Sequence, residues 1–210
     1  SYAVGNVAAT EDALRQALAA NPPAARAGAA RVTQELVTFG ANPSANAAAV
    51  QRAEAVLKTD PNDLPALFAV GAASEAKNDL ANARKQYEAA LKLYPEFAPV
   101  QKRLAILYAA DPSQAQRAQE LATKARQAYP NDAEVAKALG IAVYRQKNAT
   151  RAVTLLEEAA RQRAQDAEVY FYLGAAQLEL KRAAEGKKSL EKALELGLKG
   201  ELAAEARKLL

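Results

Sequence analysis

The 210-residue chain contains no cysteine, histidine, methionine or tryptophan. Each absence removes a class of chemistry. A zinc site or a thiol nucleophile needs Cys or His, and a Ser-His-Asp triad needs His. Without Cys there is no disulfide, so redox chemistry is silent on compartment. No apolar run approaches the roughly 20 residues that a membrane span requires, so no membrane span is expected. Ser1 is not followed by a basic-then-apolar leader, and no address is visible.

Charge of one sign is also lacking. The formal net charge is +4 with 28 basic and 24 acidic side chains. Residues 1–63 hold about five basic and six acidic ones, so the excess lies in the remainder. Acids and bases interleave without a basic block, which argues against a nucleic-acid partner. What the chain has in quantity is alanine, 55 residues or about a quarter. With only four Phe and few β-branched runs, that composition favours helix over strand.

A repeat organises these helices. Pro61, Pro95 and Pro130 are 34 and 35 residues apart, and continuing at 34 reaches Ala164 and Leu198. Alignment on these marks brings Val70-Gly71, Leu104-Ala105, Leu139-Gly140 and Leu173-Gly174 into one column. A second column holds Ala83, Ala118, Ala152 and Gly186, and a third Ala90, Ala125, Ala159 and Ala193. Small residues at fixed places let paired helices approach closely, while the large apolar neighbour fills the next gap. Proline stops the second helix, and Asp60-Pro61-Asn62-Asp63 and Tyr129-Pro130-Asn131-Asp132 add turn formers and N-cap acceptors. One unit is thus a helix, a short turn near Lys77-Asn78-Asp79, a second helix and a proline turn. Tyr87, Tyr94 and Tyr129 are expected to pack under those turns.

These columns resemble the tetratricopeptide repeat (TPR) family. The best copy, from Leu64, matches its pattern with Leu67, Val70-Gly71, Ser74, Ala83, Tyr87, Ala90 and Pro95. A second copy carries Leu104, Tyr108, Ala118, Ala125 and Pro130, with one extra residue near Asp111-Pro112-Ser113, where Ser113 is expected to cap the second helix. The family's first-helix aromatic survives only as Tyr170, with Leu67, Gln101 and Ala136 at the equivalent places, and its terminal proline is Ala164 and Leu198 in the last two units. The resemblance implies an all-α fold, a right-handed α-solenoid of antiparallel helix pairs, with units at 64–97, 98–132, 133–166 and 167–200.

The first 63 residues repeat less clearly. Thr10 is read as the N-cap of a short helix to Ala20 with Ala13, Leu14, Ala17 and Leu18 on one face, giving an N-terminal segment 1–23. Pro23 opens a helix carrying Val32, Leu36 and Phe39 that stops at Gly40. A further helix from Ala47 to Lys58 turns Val50, Ala53 and Leu57 inward, so 24–63 forms a divergent pair. Residues 201–210, with Leu202, Ala206 and Leu209 in a stripe, read as a capping helix, or as a cut within a longer array.

The resemblance implies a concave groove lined by first helices that holds peptide segments. The face opposite the Leu-Gly contact presents Phe68 in the first unit, and Lys102, Arg103 and Ile106 in the second. The third contributes Lys137, Ile141, Tyr144 and Arg145, and the fourth Phe171, Tyr172, Ala175 and Glu179. Four central cations flanked by aromatics fit a partner with acidic and apolar residues. The family's clamp for chaperone-tail carboxylates needs a Lys and two Asn, but the matching positions hold Phe68, Ala72 and Arg103, which excludes it. Glu157-Glu158 point about 100° apart on a helix with no base partner, and Gly71, Gly140 and Gly174 belong to no phosphate loop. No catalytic residue, metal or cofactor is expected.

The expected function is therefore a non-enzymatic scaffold binding a protein or peptide in its groove, within a multi-protein assembly. The alanine excess points to a bacterial source, in cytoplasm or periplasm. The alternative is a structural module that self-assembles into a homo-oligomer through array ends or convex face.

Overall fold

The computed structural model describes residues 7–20, 30, 33–34 and 47–210. Among them are eleven α-helices, one 3-10 turn and no strand. In chain order these are α1 (Val7–Ala19), α2 (Ala47–Thr59), α3 (Leu64–Ala76), α4 (Leu80–Leu93), α5 (Ala98–Ala109), the 3-10 turn Pro112–Gln114 and α6 (Ala115–Ala128). Then follow α7 (Ala133–Arg145), α8 (Ala149–Gln162), α9 (Ala167–Glu179), α10 (Ala183–Glu195) and α11 (Gly200–Leu209). None of the described helices is long and apolar enough to cross a membrane.

Short polar side chains start five of the helices. Asp63, Asp79, Asp132, Asn148 and Asp166 accept backbone N–H bonds in the first turns of α3, α4, α7, α8 and α9, at 2.8 to 3.2 Å. Each such cap stabilises its helix by about 1 kcal/mol. The stops are equally regular. After α3, α7, α9 and α10 the chain passes through positive φ at Asn78, Lys147, Lys181 and Gly197. There the N–H of the following residue reaches back five positions, as in Asp79 to the Ser74 carbonyl at 2.8 Å and Arg182 to Gln177 at 2.9 Å. This closes an otherwise orphaned carbonyl and reverses the chain within three residues.

The structure corrects three local expectations. α1 begins at Val7, so Thr10 lies inside the helix; Ala8 and Ala9 are strong helix formers that extend it. Along α1, Leu14 and Leu18 are half-buried while Ala13 and Ala17 are exposed. Ser113 does not cap α6: its N–H and Oγ both bond to Asp111 Oδ1, at 2.9 and 2.8 Å, and α6 opens without a side-chain cap. Tyr94, the C-cap residue of α4, is 38% exposed and so is not packed beneath the turn as expected. The expected helix with Val32, Leu36 and Phe39, and Pro23 before it, lie outside the described residues.

The chain divides into two compact units, Ser1–Leu104 and Ala105–Leu210. In the first, α2 lays Ala49 and Ala53 against Ala66, Ala69, Val70 and Ala73 of α3, with Val50, Val56 and Leu57 at the margin. Phe68 packs on Tyr87 and, edge to face at 5.5 Å, on Phe97. Gln101, at the position where the family carries an aromatic, is buried and donates to the Pro95 carbonyl at 2.7 Å. A buried amide is tolerated only with such a partner.

In the second unit each helix from α6 to α11 packs on the next, and α9 also touches α7 and α11. Ala118, Ala122, Ala125, Ala152, Ala159 and Ala193 are fully buried, so the alanine columns are the contact surfaces of the pairs. The backbones of α9 and α10 come close where glycines face each other: a Cβ on Gly174 would lie 2.8 Å from the Gly186 carbonyl oxygen.

Candidate functional site

The second unit contains a depression of about 180 Å³. Its floor is apolar, made by Ile106 and Ala109 at the end of α5, Ala110 after it, and Ala138 and Ile141 on α7. Its rim is charged, made by Glu134 and Lys137 on α7, Arg163 after α8 and Glu168 on α9. The spacing of Lys137, Ala138 and Ile141 follows from helix periodicity, which places residues three and four apart on one face.

The rim charges form one chain of contacts. Lys137 Nζ lies 3.0 Å from Asp166 Oδ2 and 2.7 Å from Glu168 Oε2. Arg163 Nε donates to Asp166 Oδ2 at 2.9 Å, and its Nη1 reaches Glu134 Oε1 at 3.4 Å. Asp166 is the centre: it holds both cations and also caps α9 through the Val169 N–H. Burial alone would raise its pKa, but Lys137 and Arg163 outweigh that and hold it below the ordinary carboxylate value. Arg163 is shifted upward: burial opposes its charge, and the Asp166 and Glu134 carboxylates overcome that cost.

Further along α7 the site becomes aromatic. Arg145 donates to the Ala109 carbonyl and to Tyr172 Oη at 2.8 Å, with its guanidinium over the Tyr172 ring. Tyr172 stacks edge to face with Tyr144 at 5.7 Å and with Phe171 at 5.0 Å. The Tyr144 hydroxyl is pushed up to about 12 by burial, then by the negative charges of Glu179 and Glu205. Burial likewise raises Tyr172, against the opposing effect of Arg145.

Of the residues expected to face a ligand, the structure brings Ile106, Lys137 and Ile141 together around one depression, with Tyr144, Arg145 and Tyr172 beyond it. Phe68 and Phe171 are core residues, only 3% and 1% exposed, and Ile141 and Tyr172, at 3% and 4%, are buried as well. The reason is that first helices are enclosed on several sides: ten residues of α3 are buried, and α9 has α7, α8, α10 and α11 as neighbours. Arg103 and Lys102 are half-buried in the first unit, where Arg103 pairs with Glu75 at 3.5 Å. Sequence reasoning missed Glu134, Arg163, Asp166 and Glu168. Asp166 was hidden by its own regularity, because it occupies the same N-cap column as Asp132.

Neither nucleophile with base nor a metal cage is assembled at this site. Among the described residues no group of three or more metal-ligating side chains occurs. What the arrangement can do is receive an apolar side chain on its floor and polar or charged ones at its rim.

No protein-family model matches the chain, and no curated protein does. Solved structures do. A mutant of MamA superposes with a TM-score of 0.65 at 20% identity, over 79% of this chain and 95% of that one. MamA AMB-1 gives 0.63 at 20% identity, over 79% and 96%. YrrB, described as a TPR protein with an unusual peptide-binding site, gives 0.60 at 19% identity, over 76% and 82%. These likenesses agree with the proline, glycine and alanine columns of the sequence, and the chain has the all-α fold of TPR-like helical repeat proteins.

Proposed function

We propose that this chain is a non-enzymatic interaction scaffold that holds a segment of another protein in the depression between the end of α5, α7 and α9, as a component of a bacterial multi-protein assembly. The observation that carries the reading is the apolar floor of the half-buried Ile106 and the buried Ala109, Ala138 and Ile141 under an ordered charged rim. Peptide sites combine those two features: an anchor pocket supplies affinity and fixed polar groups supply register. Several side chains that form it are already locked by hydrogen bonds, so little ordering cost remains for binding. The peptide-binding description of YrrB supports the same use of a shared fold.

The test is selection of a displayed random peptide library against the wild-type chain and against Ala110→Trp. Ala110 is exposed at the mouth of the depression, so an indole there occludes the floor without disturbing the core. Peptides enriched on wild type and lost on Ala110→Trp support the proposal. A selection in which no enriched peptide depends on Ala110 refutes it.

A further inference from the structure

The charged rim closes on itself. Glu134 meets Arg163 at 3.4 Å, Arg163 meets Asp166 at 2.9 Å, Asp166 meets Lys137 at 3.0 Å and Lys137 meets Glu168 at 2.7 Å, so each of the five charges faces an opposite one. The aromatic end is balanced as well: around Tyr144 and Tyr172 the cations Arg145 and Lys147 stand against Glu179 and Glu205. A ligand carboxylate would have to take Lys137 or Arg163 from the carboxylates that hold them, and a ligand cation would have to share a carboxylate with them. Either exchange disturbs partly enclosed charges, the Lys137 and Asp166 side chains being only 20% and 12% exposed, and sets a desolvation cost against a pair that already exists.

What the rim leaves for a ligand is the space beneath it. About 180 Å³ is bounded by Ile106, Ala109, Ala110, Ala138 and Ile141, and the three alanines among them keep it open because each contributes only a methyl group. A cavity of about 150 Å³ lined by apolar side chains holds one benzene molecule. The depression therefore admits one group the size of a phenyl ring, and the larger indole of Trp exceeds it. Glu168, whose side chain is 35% exposed beside Lys137, can still accept a hydrogen bond from a neutral N–H or O–H without giving up its cation.

Resting on the proposed peptide site, we infer that its occupant presents a single apolar side chain of phenyl size, Phe or Leu, to the Ile106–Ile141 floor, with uncharged residues on either side of it. Complementarity is met here by neutrality: a rim whose charges satisfy one another gains nothing from a charged neighbour, while backbone amides and small polar side chains meet it without breaking a pair.

The experiment reads the sequences that the displayed random library yields. Among peptides retained by wild type and lost on Ala110→Trp, Phe or Leu is expected at one fixed position, with Asp, Glu, Lys and Arg depleted beside it. A labelled synthetic peptide of the enriched sequence is then followed by fluorescence anisotropy. Its Kd is expected to weaken about tenfold when the anchor becomes Ala, and to change less than about twofold between about 0.01 and 0.15 M salt, where the screening of a charge pair would show. Ile106→Ala enlarges the floor at a half-buried position and is expected to shift the selected anchor to Trp; if circular dichroism shows that variant unfolded, the wild-type sequences and the salt series decide alone. Enrichment of either charge beside the anchor, a salt-dependent Kd, or a wild-type preference for Trp or Ala overturns the inference and leaves the peptide site standing. If no enriched peptide depends on Ala110, the site and the inference fall together.

Discussion

Gly174→Ala sets helix propensity against helix packing. On propensity alone the change stabilises α9 by up to about 1 kcal/mol, because Gly is a poor helix former. Packing opposes it. The new Cβ would stand 2.8 Å from the Gly186 carbonyl oxygen and 3.0 Å from the Leu190 amide nitrogen, both backbone atoms, and 2.8 Å from Leu190 Cγ. Reaching an ordinary contact of 3.4 Å means moving α10 outward by about 0.6 Å. No rotamer change can provide that movement. Overpacking of this kind costs about 1 to 3 kcal/mol, and a backbone obstacle places it near the top of the range. The net expectation is a loss of about 2 kcal/mol, or about 4 to 8 °C in Tm for a chain of this length. Gly140→Ala is the control, since its Cβ would meet the Leu156 side chain, at 2.8 Å from Cγ, and a leucine can repack. Thermal and urea unfolding followed by far-ultraviolet circular dichroism measures both. An unchanged or raised Tm for Gly174→Ala, or a larger loss for Gly140→Ala, would refute the argument from backbone proximity.

Lys181 occupies positive φ at the end of α9 with an exposed side chain, so Lys181→Gly is expected to raise stability by about 0.5 to 1 kcal/mol in urea melts. Asp166 has its folded pKa below the ordinary 3.8, so its stabilisation is present above that value and is lost as pH falls through the folded pKa. Asp166→Asn should therefore lower the urea midpoint at neutral pH and flatten its decline in acid, and an unaltered acid limb would contradict this. Tyr144 keeps its proton to about 12, so ultraviolet titration of the tyrosines should lose its late-ionising component in Tyr144→Phe. That raised pKa adds stability that is complete below the ordinary value of 10.0 and disappears as pH climbs to about 12.

The architecture was legible because it is written in steric columns. Ala83, Ala118, Ala152, Ala90, Ala125 and Ala159 recur where helices touch, and all are fully buried. Local capping was legible where one side chain acts on the next turn, as at Asp63 and Asp132. It failed at Ser113, where two acceptors competed and Asp111 took both donors of the serine. The site was half legible. Periodicity placed Lys137 and Ile141 on one face, but it could not show that Lys137 is neutralised from residues 29 and 31 positions later. Nor could it separate Phe171, enclosed in the core, from Tyr144, which is only half-buried, because that distinction depends on neighbours from other helices. Phe97, in a turn and fully buried against Phe68, had no periodic signal at all.

Asp166 bonds the Val169 amide with the same carboxylate that holds Lys137 and Arg163. The start of α9 is thereby a built-in gauge of what happens at the rim. A ligand that draws Lys137 or Arg163 outward leaves more of the carboxylate to the helix end, whereas one that competes for Asp166 loosens it. Hydrogen exchange at Val169 should slow in the first case and quicken in the second, so a single backbone amide reports the sign of the bound charge.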